Sequence, residues 1–259
     1  MDIPTMKHVI TPRPLHGRAL SRFVRQSLCL LALSCGVHVA YAQAVGTITH
    51  LSGVLTVQHA DGSTALLAIH STFSQGDALV TQADTYARIK FVDNGDMVIR
   101  PSSEVLVKTY VYDVDHPEHD KVDIELVHGG LRSATGLIGK HNHNAVAFET
   151  PKGAVGVRGT NFGALFCEND CGSVPTSNGS TPQNGLYVDV SQGAIVVSNP
   201  AGQQTYQTGQ FGYVANLNTP PVVIPPAQGV PVTMPLSISK NAPATQSNVG
   251  GTAVDCQVR

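Results

Sequence analysis

The chain has 259 residues and a mass of 27.2 kDa, with 42% hydrophobic, 13% charged and 5% aromatic residues and no tryptophan, a length for one or two domains and too great for a mini-protein. Its charged fraction is half the ~25% usual in soluble domains, with small, β-branched and amide residues filling the gap, which excludes a helical bundle or coiled coil. Five of the sixteen basic residues but only one of the eighteen acidic ones fall in the first 42 positions; the remainder, eleven basic against seventeen acidic, carries a net charge of −6 and gains no counterion-release advantage on nucleic acid, which is excluded as a partner.

A basic stretch ending at Arg25 is followed by an apolar run from Leu28 to Ala40 and then by Ala40-Tyr41-Ala42. This is the pattern of a secretory signal peptide, residues 1–42, cleaved after Ala42. The apolar run is too short to span ~30 Å of hydrocarbon as a permanent helix. The expected mature chain starts at Gln43, has no transmembrane helix, and is periplasmic or secreted.

From Gln43 to Ala215 short alternating runs are punctuated by glycine. Ile48–Val57, Arg88–Val92, Met97–Arg100, Val105–Val111, Val122–Val127, Ala145–Phe148, Leu186–Val190 and Ala194–Ser198 read as strands, and no amphipathic helix stands out. Asp93-Asn94-Gly95-Asp96 lies between two alternating runs, and Asn-Gly predicts a type I′ hairpin turn there. Further turns are expected at Asp61-Gly62-Ser63, Gln75-Gly76-Asp77, His128-Gly129-Gly130 and Gln192-Gly193. Gly46 to Val57 and Leu186 to Val197 share a pattern of strand, glycine corner and strand. The expected class is therefore all-β, a β-solenoid or β-roll over residues 43–215, with a β-sandwich as the alternative because hairpins at ten-residue spacing read alike.

Cys167 and Cys171 flank the turn-prone Glu168-Asn169-Asp170. In an oxidising compartment a short-loop disulfide is the leading reading; a zinc half-site is the rival, without a second ligand pair nearby. Cys256 is left as a free thiol or an intermolecular bridge. From Asn216 onward proline pairs break the chain, and residues 216–259 are expected to be disordered or laid on the domain surface.

The densest polar patch is Asp113-Val114-Asp115-His116-Pro117-Glu118-His119-Asp120. It lacks calcium-loop spacing, and Pro117 disfavours a helical histidine pair, so it reads as a solvated acidic turn rather than a metal site. His141 and His143 flank Asn142, a spacing that would place both on one face of a strand where two imidazoles could help bind a metal, but an exposed loop is the leading reading. No G-x-S-x-G elbow occurs. Neighbouring carboxylates on adjacent strands leave glycoside cleavage as a remote alternative. The expectation is a protein that is not an enzyme, with no catalytic residue, cofactor or metal.

Gly76-Asp77-Ala78-Leu79-Val80-Thr81, then Ala87 to Phe91, Asp93-Asn94-Gly95, Ile99-Arg100-Pro101-Ser102-Ser103, Gly129-Gly130-Leu131-Arg132, Thr150-Pro151, and Val157-Arg158-Gly159-Thr160-Asn161-Phe162 resemble, in order, the motifs of the FecR domain family. The resemblance implies a periplasmic, non-catalytic β domain of a Gram-negative envelope in which Gly76, Asp77, Thr81, Asp93, Gly95, Pro101, Thr150, Pro151, Arg158, Gly159 and Thr160 are structural motif residues. The family's regulators carry a cytoplasmic anti-sigma segment and a membrane helix before this domain; here a cleavable signal stands in that place, which fits the stand-alone secreted members better. Arg158 is expected to be partly buried and paired with a carboxylate or with turn carbonyls. The function expected is a binding or signalling module acting on an envelope protein of unknown identity. The alternative is an envelope structural or peptidoglycan- or polysaccharide-associated protein, against which the shortage of aromatic stacking surface speaks.

Overall fold

A computed structural model describes residues 43–176, 179–235 and 238. The expected signal peptide (1–42), Cys256 and the end of the tail lie outside these residues. The described chain forms strands β1(Ala44–Leu51), β2(Leu55–Gln58), β3(Thr64–Leu67), β4(Thr72–Ser74), β5(Ala78–Thr81), β6(Ala87–Phe91), β7(Asp96–Ile99), β8(Glu104–Val111), β9(Lys121–Ala134), β10(Val146–Thr150), β11(Gly153–Cys167), β12(Gly185–Asn199), β13(Gly202–Gln207), β14(Phe211–Val214) and β15(Val222–Ile224), with a short α-helix, α1(Leu137–His141), and a single 3-10 turn at Pro117–His119. The chain is all-β. One hydrogen-bonded sheet runs in the order β15-β14-β12-β11-β10-β9-β7-β6-β1-β4, with β2, β3, β5, β8 and β13 attached beside this path. Among the described residues no helix is long and apolar enough to cross a membrane.

Alternation explains the shorter strands. In β6, Ala87, Ile89 and Phe91 are buried while Arg88 and Lys90 face outward. The aromatic rings meet across strands: Phe91 stacks on Tyr110 at 4.6 Å and meets Phe73 edge-on at 5.8 Å, and Phe148 meets Phe162 edge-on at 5.0 Å. Each such buried side chain contributes roughly 1.5–3 kcal/mol of transfer free energy.

The long strands turn corners. The first part of β9 pairs with β8 and, in parallel, with β10; its last residues pair with β7 and β11. Between the two parts Gly129 adopts φ +77°, and the buried positions change phase from Val122, Ile124 and Leu126 to Leu131 and Ser133. A side chain at Gly129 would also strike Ser103, at 2.2 Å from its Oγ. The turn expected at His128-Gly129-Gly130 is therefore a bend inside one strand. Leu186–Val190 and Ala194–Ser198 likewise join into β12, which bends at Gly193 (φ +83°) against the corner of β11, where a Cβ would lie 2.6 Å from the Gly159 carbonyl. Glycine supplies these angles at no steric cost.

The hairpin joining β6 and β7 is present, but its turn differs from type I′. Asn94 N–H donates to the Phe91 carbonyl, Asn94 is left-handed at φ +66°, and Gly95 is not. This is the longer hairpin loop, a β-turn followed by one left-handed residue. Its cause is Asp93, drawn inward rather than left on the surface.

β11 and β12 depart from alternation in another way: Phe162–Cys167 and Gly185–Val190 are buried without interruption. Inward residues such as Phe162, Leu186 and Val188 join the main core, whereas Leu165, Cys167 and Tyr187 form a second cluster with Cys171, Val230 and Val232. Strands covered on both faces read as continuous apolar runs. The second cover is the disulfide loop and the described part of the Pro-rich tail, in which β15 pairs with β14 and Val230 and Val232 are buried.

Candidate interaction surface

Several of the motif residues, Asp77, Thr81 and Asp93 among them, fall into buried networks. Asp77 accepts the Ser74 N–H at 2.8 Å on one oxygen and meets His59 Nδ1 at 2.8 Å with the other. Gly76, left-handed at φ +89°, makes the corner that brings them together. Thr81 donates from its hydroxyl to the Arg100 carbonyl (2.6 Å) and accepts the Ser103 N–H (3.0 Å), and Ser103 Oγ in turn accepts the Gly130 N–H at 2.9 Å. Pro101 lies in the turn that this network closes. Thr150 Oγ donates to the Gly153 carbonyl across Pro151, which is exposed. The Thr160 carbonyl accepts from both the N–H and the hydroxyl of Thr135, and the Thr160 N–H donates to that hydroxyl, while the buried Thr160 hydroxyl has no partner among the described residues.

Asp93 is the densest of these points. Its Oδ1 accepts the Gly95 N–H (2.8 Å) and the Tyr110 hydroxyl (2.6 Å), and Oδ2 accepts the Ile138 N–H (3.2 Å) at the start of α1. Burial first, then the neighbouring Asp93 carboxylate, pushes the Tyr110 hydroxyl far above the ordinary phenol range.

Arg158 departs from expectation. It is exposed, next to the left-handed Gly159 where the β11–β12 register shifts, and it makes no ion pair among the described residues. The bulge turns its side chain to solvent. Partly buried and paired instead are Arg88, which bonds Asp96, and Arg132, which bonds Asp189, Asn161 and Ser191.

The other candidates do not converge on a catalytic or metal centre. Asp113 accepts the N–H groups of Asp115 and His116 and meets the His116 ring; the Asp115 N–H, then His116, holds its carboxyl below the usual range. That acidic segment satisfies its own loop. His141 ends α1 and His143 lies in the following turn, its Nδ1 2.8 Å from the Gly139 carbonyl, so the two do not share a strand face. Cys167 and Cys171 are joined in a disulfide. Asp170 lies beside them, but a disulfide offers no thiolate to a metal.

Free surface is found at the edges. Among the described residues β3 pairs only with β2, and Leu66 on it is 75% exposed, with Ile69 and Val54 exposed next to the same hairpin. A cleft of about 740 Å³ opens between the start of β1 and the end of β8, where Val92, Val111 and Val114 are exposed. Sequence reading passed over β3. Its signal is Leu66-Leu67: two successive leucines in a strand cannot share a face.

The family model described as FecR protein matches residues 77–196. Among solved structures, one from Parabacteroides distasonis, provisionally assigned as an anti-sigma factor, is 13% identical with a TM-score of 0.41, over 57% of this chain and 58% of its own. A second structure of that description scores 0.42 at the same identity and coverage. A cell surface anchoring domain is 33% identical over 24% of this chain and 83% of its own, with a TM-score of 0.24. No curated protein matches the chain.

Proposed function

We propose that this chain, whose residues 77–196 match the FecR family model, is a periplasmic or secreted, non-catalytic signalling module that binds a protein partner of the Gram-negative cell envelope by adding a strand to the free edge of β3. The observation that carries this reading is the combination of the FecR match, in which Asp77, Thr81 and Asp93 are spent on buried structural networks, with an edge strand that has one neighbour among the described residues and an outward leucine. Main-chain hydrogen bonds along such an edge supply affinity, and alternate side chains supply selectivity. Unprotected edges are otherwise blunted by charge or proline, and Thr64-Ala65-Leu66-Leu67 has neither.

A photo-crosslinking residue at position 66, with the tagged chain expressed in its own envelope, tests the proposal. One defined protein cross-linked from position 66, and lost when Leu66→Lys is introduced at an unchanged melting temperature, is the expected result. Retention on peptidoglycan or polysaccharide with no protein adduct would replace the proposal by a structural role.

A further inference from the structure

The outer face of β11, β12 and β14 has the chemistry of a peptide-binding groove, and the chain's own tail lies in it. Leu165, Tyr187 and Cys167 form the floor, with Tyr213 and Ile224 at its side and Val230, Val232 and Met234 packed on top. At its centre one tail residue is read on both main-chain groups. Val232 N–H donates to Asp189 Oδ2 at 2.9 Å, and the Val232 carbonyl accepts from Arg132 Nε at 2.9 Å. Asp189 and Arg132 also pair with each other, and the guanidinium is held by Asn161 and Ser191, both on strands of the domain. The tail is thus not what positions the pair. A socket lies beside it at Gly163, where a Cβ would come within 2.5 Å of both the Val232 side chain and Asp189 Oδ2.

Reading the donor and acceptor of one residue, with pockets for side chains two positions apart, is how sheet-based sites take an extended peptide. The occupant's chemistry is visible in Val230-Pro231-Val232. Its hold is limited: Pro225, Pro226, Pro231 and Pro235 have no N–H, so the segment cannot form a continuous ladder. Occupancy rests on tethering, which gives a short linked segment an effective concentration on the order of millimolar.

We infer that the Arg132–Asp189–Gly163 face is a peptide-binding groove occupied in cis by residues 230–232, and that a partner protein presenting an extended Val-x-Val peptide binds it by displacing the tail. The inference rests on the reading that the domain acts by binding proteins, but it concerns a different surface from the β3 edge.

The test uses the purified full chain and a fluorescent peptide with the sequence of residues 226–238. Val230→Asp with Val232→Asp releases the tail without shortening the chain. The released variant is expected to bind the peptide at least tenfold more tightly than the wild-type chain, whose groove is filled. Adding Gly163→Leu should abolish that gain, as should placing the two aspartates in the peptide. A released variant that keeps the wild-type near-ultraviolet spectrum yet binds no better than wild type overturns the inference, as does equal binding by the wild-type chain. If the double variant does not fold, Val232→Gly puts the same question with the same two outcomes. No envelope component enters this assay, so its failure leaves a cross-link at position 66 intact, and the absence of that cross-link leaves the peptide result intact.

Discussion

Replacing Asp93 with alanine deprives three buried donors of one acceptor: the Gly95 N–H at 2.8 Å, the Tyr110 hydroxyl at 2.6 Å and the Ile138 N–H at 3.2 Å. Asp93 is 2% exposed, so solvent does not substitute for the lost oxygens without opening the loop. Each donor left unsatisfied costs about 1–3 kcal/mol; the Ile138 bond is the longest and the three losses overlap, which sets the total at about 3–5 kcal/mol. For a domain of this size that is a fall on the order of 10 °C in Tm. Urea unfolding followed by far-ultraviolet circular dichroism measures it. Tyr110→Phe removes one of the three bonds together with its donor and should cost about 1–2 kcal/mol, because no N–H is stranded. The double variant should then lose about 1 kcal/mol less than the sum of the two single changes, since both remove the same bond. A loss below about 1 kcal/mol for Asp93→Ala would refute the network as the reason this hairpin folds inward.

Gly129→Ala combines a left-handed backbone with a clash at 2.2 Å on Ser103 Oγ and should destabilise by about 2–5 kcal/mol. Gly62→Ala, at φ +84° with open space around it, should cost only about 1–2 kcal/mol, and similar thermal shifts for the two would remove packing from the explanation of the corner. Arg158→Ala should leave stability within about 0.5 kcal/mol, because the side chain is exposed and unpaired among the described residues. A drop of several degrees in Tm would show that it has a structural partner. Burial raises the hydroxyl groups of Tyr110, Tyr187, Tyr206 and Tyr213 above the phenol value of 10.0. Above that value the unfolded chain releases these protons while the folded chain keeps them, so stability is flat below about pH 10 and falls as pH rises, by up to about 1.4 kcal/mol per pH unit for each tyrosine. Tyr110→Phe and Tyr206→Phe should each flatten the decline of the urea midpoint between pH 9 and 11, and an unchanged slope in both would contradict it.

Much of the strand content was legible because a half-buried strand writes its two faces into alternate residues. Ala87-Arg88-Ile89-Lys90-Phe91 is such a case, and β6 occupies it. The hairpin was visible in Asp93-Asn94-Gly95, but not its form, because the groups that draw Asp93 inward, Tyr110 and the Ile138 N–H, lie 17 and 45 residues away. β3, β4, β5, β13, β14 and β15 were missed. They are short, and β13 is mostly polar, so alternation is hardly written in them. The five-residue helix α1 is likewise too short to show a period.

The class of the chain, all-β with little charge, and the order of the motifs that resemble the FecR family are written in the residues themselves, because turn chemistry and period-two burial act between neighbouring residues. What each glycine does depends on strands brought to it by the fold. A left-handed residue bends the chain whether the next strand reverses or continues, and it is the partner strand, β7 and β11 for the end of β9, that settles which. The same holds for the two arginines. Arg132 and Arg158 both lie in motif segments, yet one meets Asp189, 57 residues away, and the other faces solvent at a bulge. The continuous burial of β11 and β12 depends on Val230 and Val232 returning over their outer face, an encounter between distant segments that no local pattern records.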